Sequence, residues 1–392
     1  MILRLRNKSY FTNTTNYTWN LKPYPKFTEK YKCFVSCQRY KAVAVNKNCQ
    51  NDPIKENIYI PEHKIMHSIL EDSVHYDKTI FPRIKSHTVV TSEDIEGLYT
   101  VDWSHESREN ILNAVKKLAY SYLSGTRLET SLYDRILEAC IKYLLVMQDQ
   151  EIKILMQCLI TLYDIVTVSP VYKNLMKALN IECLKRFYSS NTEEMLLMMD
   201  GMYQLDVINF NFMWRAIRKL CSKPHKLSGK ALVQLFFVLP LVNSGSFINM
   251  FEIEYRLEEC LHDLVADEVG IIARGFFLNK RCVRNKALIP MIINKKCIMQ
   301  KSMIPLYIKY SFPISLIRIL TFLTIKNIYV PELIQHVFNP TFIKNAYKNN
   351  LKWLTNEWLI LHCSVKIELP YYKGPLLTDN IYECLIKVQC SK

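Results

Sequence analysis

The sequence predicts an all-α chain, built as a helical-repeat, solenoid-like array of helix pairs. Three observations predict it. Only 8 Gly and 15 Pro punctuate 392 residues, of which 49% are apolar. Apolar residues in the middle of the chain recur at i, i+3 and i+4, the spacing of one helix face. Helix-pair starts near Ser131, Ser169 and Phe210 lie about 40 residues apart, the spacing of stacked helix-turn-helix repeats.

In order along the chain, "MILRLRNKSYFTNTTNYTWN" comes first, with Arg4, Arg6 and Lys8 ahead of the first acid, Glu29. Residues 1–51 hold 10 Lys/Arg and 1 Asp/Glu. A basic, hydroxyl-rich, acid-poor opening predicts a transit peptide, hence a mitochondrial matrix address and a segment outside the fold. The sequons at Asn7, Asn13 and Asn16 are read as part of that Asn/Thr-rich stretch, since no secretory apolar core accompanies them. Residues 52–105, with Pro53, Pro61 and Pro82 and little periodicity, read as a loosely ordered lead-in. His63 and His67 sit at i, i+4, but the motif is not HExxH and lacks a third ligand, so surface histidines are expected.

Residues 106–230 carry the helical repeat. In "DQEIKILMQCLITLYDIV", Ile152, Leu155, Met156, Leu159, Leu162 and Tyr163 form one stripe, with Asp149 as the expected cap. Ser169-Pro170 is a cap followed by proline at the first helical position, and Asn191 with Glu194 has capping-box spacing. Met195, Met198 and Met199 are expected in the core. The 13 cysteines are scattered, with only Cys33 and Cys37 close together, and are read as mostly reduced, buried thiols. The longest strongly apolar stretch, Leu232–Val242, has 11 residues and contains Gln234, against about 20 needed to span a bilayer, so no transmembrane helix is expected.

Charge is distributed unevenly. Residues 101–268 hold 18 Lys/Arg and 21 Asp/Glu, whereas residues 269–360 hold 14 and 2. Such an imbalance repels itself unless an anion meets it, and single-stranded RNA supplies both phosphates and stackable bases. The candidate RNA-binding residues are Arg274, Lys280, Arg281, Arg284 and Lys286, followed by Lys295, Lys296 and Lys301, then Lys309 and Arg318. Tyr307 and Tyr310 are candidates for stacking. Phe276 and Phe277, inside the first cluster, are expected in the core.

Three phrases in this region carry a family resemblance. Residues 256–289, containing "ADEVGIIARGFFLNKRCVRNK", resemble the first module of the FAST kinase domain-containing proteins. Residues 311–343 resemble the second, including Pro331-Glu332-Leu333 and the phrase from Val337 to Phe342. Leu369 to Pro375, "LPYYKGP", is similar to the connector that follows in that family. The resemblance covers roughly 231–378 and divides it into 231–300 and 305–378. It implies a mitochondrial RNA-binding protein that affects processing, stability or translation of organelle transcripts, alongside other mitochondrial RNA-processing proteins. In the family the connector leads to an α/β RAP domain. Here residues 379–392 are too short for one, so no complete RAP module is expected, and any cleavage activity carried by that domain is not expected of this chain.

No enzyme chemistry is visible. The 8 glycines form no Gly-x-Gly-x-x-Gly, and neither HRD nor DFG occurs, so phosphoryl transfer lacks its apparatus. Gly270 and Gly275 are followed by Phe276-Phe277 where a phosphate loop needs Lys-Ser/Thr. Glu193-Glu194 and Glu258-Glu259 read as exposed helix carboxylates rather than a two-metal centre. No catalytic residue, metal site or cofactor is expected. Two competing readings are a helical-repeat scaffold for a partner protein and a nuclease component that needs a RAP domain from elsewhere.

Overall fold

Serine, threonine and asparagine residues start five of the helices. In the computed structural model, Thr91, Ser107, Ser169, Asn191 and Ser228 each accept a backbone N–H from the first turn that follows. The structure describes residues 62–84, 89–208, 211–242, 250–278, 311–325, 327–347 and 356–390. These fold into an all-α array with no strand among the described residues.

The helices are α1 (Glu62–Glu71), α2 (Ser92–Thr100), α3 (Arg108–Leu123), α4 (Thr130–Tyr143), α5 (Asp149–Thr161) and α6 (Tyr163–Val166). Next come α7 (Pro170–Arg186), α8 (Thr192–Gln204), α9 (Asn211–Cys221), α10 (Gly229–Val238), α11 (Met250–Cys260) and α12 (Ala266–Leu278). The last are α13 (Ser311–Ile325), α14 (Pro331–Val337), α15 (Pro340–Tyr347), α16 (Asn356–Glu368) and α17 (Asp379–Cys390). The expected helix-pair starts fall at the beginnings of α4, α7 and α9. Ser169-Pro170 acts as predicted, with Ser169 accepting from Val171 N–H and Pro170 opening α7. Asn191 caps α8 by accepting from Glu194 N–H, while the Glu194 carboxylate turns to Lys153. Asp149 is not the cap of α5. Gln148 is, paired with Glu151 in a capping box, and Asp149 opens the first turn, where its charge still suits the helix dipole.

Three helices end in one local device. Gly125, Asp206 and Asn327 adopt left-handed φ of 80°, 57° and 55°. Each donates its N–H three residues back, and the following residue donates five residues back: Thr126 to Ser121, Val207 to Met202, Ile328 to Leu323. This is the Schellman closure, which satisfies carbonyls a helix end leaves open.

Packing is layered. One row runs α5, α8, α10, α12, α13. Lys153 meets Glu194 and the Met156 side chain lies against Gly201. Lys230 meets Glu268 while Phe236 lies against Gly275. Asp267 meets Ser315 and Phe276 stacks on Phe322. A second row stacks α4, α7 and α9, held by Ser169 to Asp134 and by Phe212 N–H to Asn180. Between the rows lies a continuous apolar core including Ile136, Leu155, Leu175, Leu232 and Phe236. Met195, Met198 and Met199 are in it, as expected.

Gly270 and Gly275 serve this packing. A Cβ on Gly270 would stand 2.6 Å from the Ser315 Cβ and 2.9 Å from its Cα, and one on Gly275 would meet the Phe236 carbonyl oxygen at 2.7 Å. Without side chains there, α12 can lie close to α13 on one side and α10 on the other.

Residues 62–84 depart from the expected loose lead-in. Met66, Leu70, Tyr76 and Phe81 are buried, and the segment lies across α8, α10 and α12. His67 is not a surface residue: it is 5% exposed, its Nε2 lies 2.6 Å from Asp200 Oδ1, and its ring packs against Tyr203 and Phe237. Asp200, itself 3% exposed, also accepts from Phe81 N–H at 2.8 Å and Gln204 Nε2 at 2.7 Å. Thr79 O accepts from Gln234 Nε2, and Tyr76 hydroxyl donates to Glu268, both far away in sequence. Burial and the neighbouring Glu268 carboxylate push the Tyr76 phenol far upward, so it stays a donor.

Asn57–Lys392 form one unit; the other, Met1–Glu56, lies outside the described residues, and the expected targeting segment 1–51 with it. Among the described residues no helix is long and apolar enough to cross a membrane. Cys140, Cys158, Cys183, Cys221 and Cys260 are buried free thiols. Burial pushes Cys140, Cys158 and Cys221 up to about 12, which keeps them neutral.

Candidate nucleic-acid interface

The structure separates the twelve candidate RNA-binding residues into two sets. Arg274 and Arg318 are described, and both are inside, at 5% and 2% exposure. Arg274 lies on α12 near Tyr203, whose phenol is pushed up by burial and the Asp200 charge while Arg274 opposes the rise. Arg318 lies on α13 with its Nε 3.8 Å from Glu357 Oε1. These two are corrections, with one cause. Both helices, "ADEVGIIARGFFL" and "SFPISLIRILTFLTI", are mostly apolar and are packed mainly by two helices each, α12 by α10 and α13, and α13 by α12 and α16, so a cation within them is carried inside. The other candidates, Lys280, Arg281, Arg284, Lys286, Lys295, Lys296, Lys301, Tyr307, Lys309 and Tyr310, lie outside the described residues. Phe276 is in the core as expected, 4.6 Å from the Phe236 ring; the Phe277 side chain lies outside the described residues. Glu193 and Glu259 are exposed, whereas Glu194 and Glu258 are half-buried.

A cationic face that the sequence reading did not single out lies on α9. Its apolar side is fixed by Phe212, Met213, Ala216, Ile217 and Leu220, all buried. With that side turned inward, Arg215 and Arg218 are turned to solvent. Beyond the helix, a 3-10 turn over Pro224–Lys226 buries Pro224 and leaves Lys223, His225 and Lys226 exposed. The Arg218 guanidinium lies over the half-buried Trp214 ring, 5.4 Å from its centroid. Lys219 is committed elsewhere: its Nζ donates to Tyr188 O at 2.6 Å and sits 5.3 Å above the Tyr188 ring, which ties α9 to the turn between α7 and α8.

What distinguishes this face is its missing counter-charge. Arg215, Arg218, Lys223 and Lys226 meet no carboxylate within ion-pair distance among the described residues. Residues 207–251 contain six Lys/Arg and no Asp/Glu. One of the six, Lys230, is turned inward to Glu268 at 2.6 Å. The signal was present in the sequence as an acid-free stretch, but averaging charge over 101–268 cancelled it. Chemically, the face offers solvated cations for phosphate oxygens and one aromatic ring beside them, the combination that grips unpaired nucleic acid.

Compared with family models, curated proteins and solved structures, the chain finds no match.

Proposed function

We propose that this protein binds RNA through cationic helical surfaces, acts by holding the RNA rather than by cutting or phosphorylating it, and serves mitochondrial transcripts by affecting their processing, stability or translation. The observation that carries the RNA reading is the α9 face: four exposed cations, one of them, Arg218, over an aromatic ring, in a stretch of chain without an acid. Residues 279–310 support it, with 8 Lys/Arg and no Asp/Glu in the sequence. The mitochondrial part rests on the basic, acid-poor opening and on the resemblance of 231–378 to the FAST kinase domain-containing proteins.

The test is binding of the full chain to a fluorescent single-stranded RNA over a salt series. Contact with roughly 5–8 phosphates gives log affinity against log salt a slope near −0.7 per phosphate, about −4 to −6 in total. Two variants locate the contact: Arg215→Glu/Arg218→Glu on α9, and Arg281→Glu/Arg284→Glu in the segment beyond α12. Salt-steep binding weakened by either pair supports the reading. No binding at low salt contradicts it and favours a protein-interaction scaffold.

A further inference from the structure

A concavity of about 320 Å³ lies between α3, α5 and the chain at 82–84. This is at the small end of the range for small-molecule sites, roughly 300–1,000 Å³. Lys116 and Tyr120, one helical turn apart on α3, form one wall. Gln157, Cys158 and Ile154 on α5 form the second, and Arg83 with Ile84 forms the rim. No carboxylate lines it.

The rim is held in place. Gln157 Nε2 donates to Pro82 O at 2.9 Å, which fastens residues 82–84 to α5. Arg83 donates Nε and Nη2 to Glu71 at 3.1 and 2.9 Å, which orients the guanidinium side-on and leaves Nη1 uncommitted among the described residues. Lys116 is the distinctive member. Its neighbours are paired, Lys117 with Asp94 at 2.6 Å and Lys153 with Glu194 at 3.3 Å. Lys116 is half-buried yet makes no ion pair or hydrogen bond among the described residues. Cys158, on the facing wall, interacts electrostatically with Lys116, but its thiol is kept neutral by burial and offers no counter-charge. A half-buried ammonium with no partner among the described residues is free to take an anion from outside the chain.

We propose that this concavity binds a phosphate monoester, with Lys116 and the free edge of Arg83 on the phosphate and Tyr120, Ile84 and Ile154 against the attached organic group. A tetrahedral dianion suits two donors from different elements, and an aromatic ring beside them suits a base or sugar face. The phosphate can belong to a free nucleotide or to the phosphorylated end of an RNA. The site stands apart from the α9 face and does not depend on it.

The experiment titrates the full chain calorimetrically with inorganic phosphate, AMP and adenosine, and with a short RNA carrying either a 5′-phosphate or a 5′-hydroxyl. The expected result is that AMP binds and adenosine binds at least about tenfold more weakly, the worth of one charge-assisted contact. Lys116→Met removes the difference, while Lys117→Met, whose ammonium is already paired, preserves it. A free nucleotide as ligand makes AMP bind while the two RNAs bind alike. A phosphorylated end as ligand makes the 5′-phosphate RNA tighter by a margin that Lys116→Met abolishes. The proposal is overturned if inorganic phosphate, AMP and 5′-phosphorylated RNA all bind wild type and Lys116→Met equally, or not at all, while the variant's circular dichroism and melting match wild type.

Discussion

The cations near the end of α7 and those of α9 are alike in type and opposite in use. Lys185 and Arg186 both engage Glu182, a carboxylate only 3% exposed, at 2.7 and 3.2 Å. Arg186 also donates to the carbonyls of Met147 and Leu145 and lies 3.5 Å from Asp149, so it closes the turn between α4 and α5. On α9, Arg215 and Arg218 meet no carboxylate, and the lysines that follow extend the same unanswered charge. The first pair is a strut of the array, satisfied from within. The second is offered outward. A basic helix is therefore informative about a ligand only once its internal partners have been counted.

The largest effect that sharpens this contrast is on binding. Reversing all four outward cations, Arg215→Glu/Arg218→Glu/Lys223→Glu/Lys226→Glu, is expected to lower RNA affinity about 100-fold or more at moderate salt. Stability in urea should move by no more than about 1 kcal/mol, since no buried partner is lost. The opposite pattern is expected of Arg186→Ala, which leaves Glu182 with one cation and two turn carbonyls without a donor. Urea melts should show a loss of about 2–4 kcal/mol, with RNA affinity nearly unchanged at equal folded fraction.

Gly270→Ala comes next. The new methyl would collide with Ser315 Cα and Cβ rather than with a flexible side-chain tip, so about 1–3 kcal/mol should be lost in the same melts. A merely permissive glycine would show a gain, because alanine is the better helix former. The smallest effect is that of Arg215→Ala alone: the salt slope should become shallower by about 0.7, one phosphate fewer, with folding unaffected.

The parts of this fold readable in the sequence were local ones. Ser169-Pro170 and the Asn191 cap act within their own first turns, and the core stripe of α5 repeats within one helix. The Asp149 assignment slipped by a single residue, because Gln148 and Glu151 close a box that competes with it. What stayed hidden depends on distant partners. His67 reads as a surface histidine until Asp200, 133 residues away, comes beside it. Arg274 and Arg318 read as outward cations until α10, α13 and α16 surround their helices. The α9 face was hidden for a different reason: its charge was summed together with the 21 acids of 101–268.

The central claim is that RNA meets the chain on the α9 face. Ultraviolet crosslinking of the full chain to 4-thiouridine RNA, with crosslinked peptides mapped by mass spectrometry, tests it most directly. The account predicts crosslinks within 214–226, centred on Trp214, and their loss in the fourfold charge reversal. Crosslinks confined to α3–α7, or persisting unchanged in the reversed variant, would contradict it.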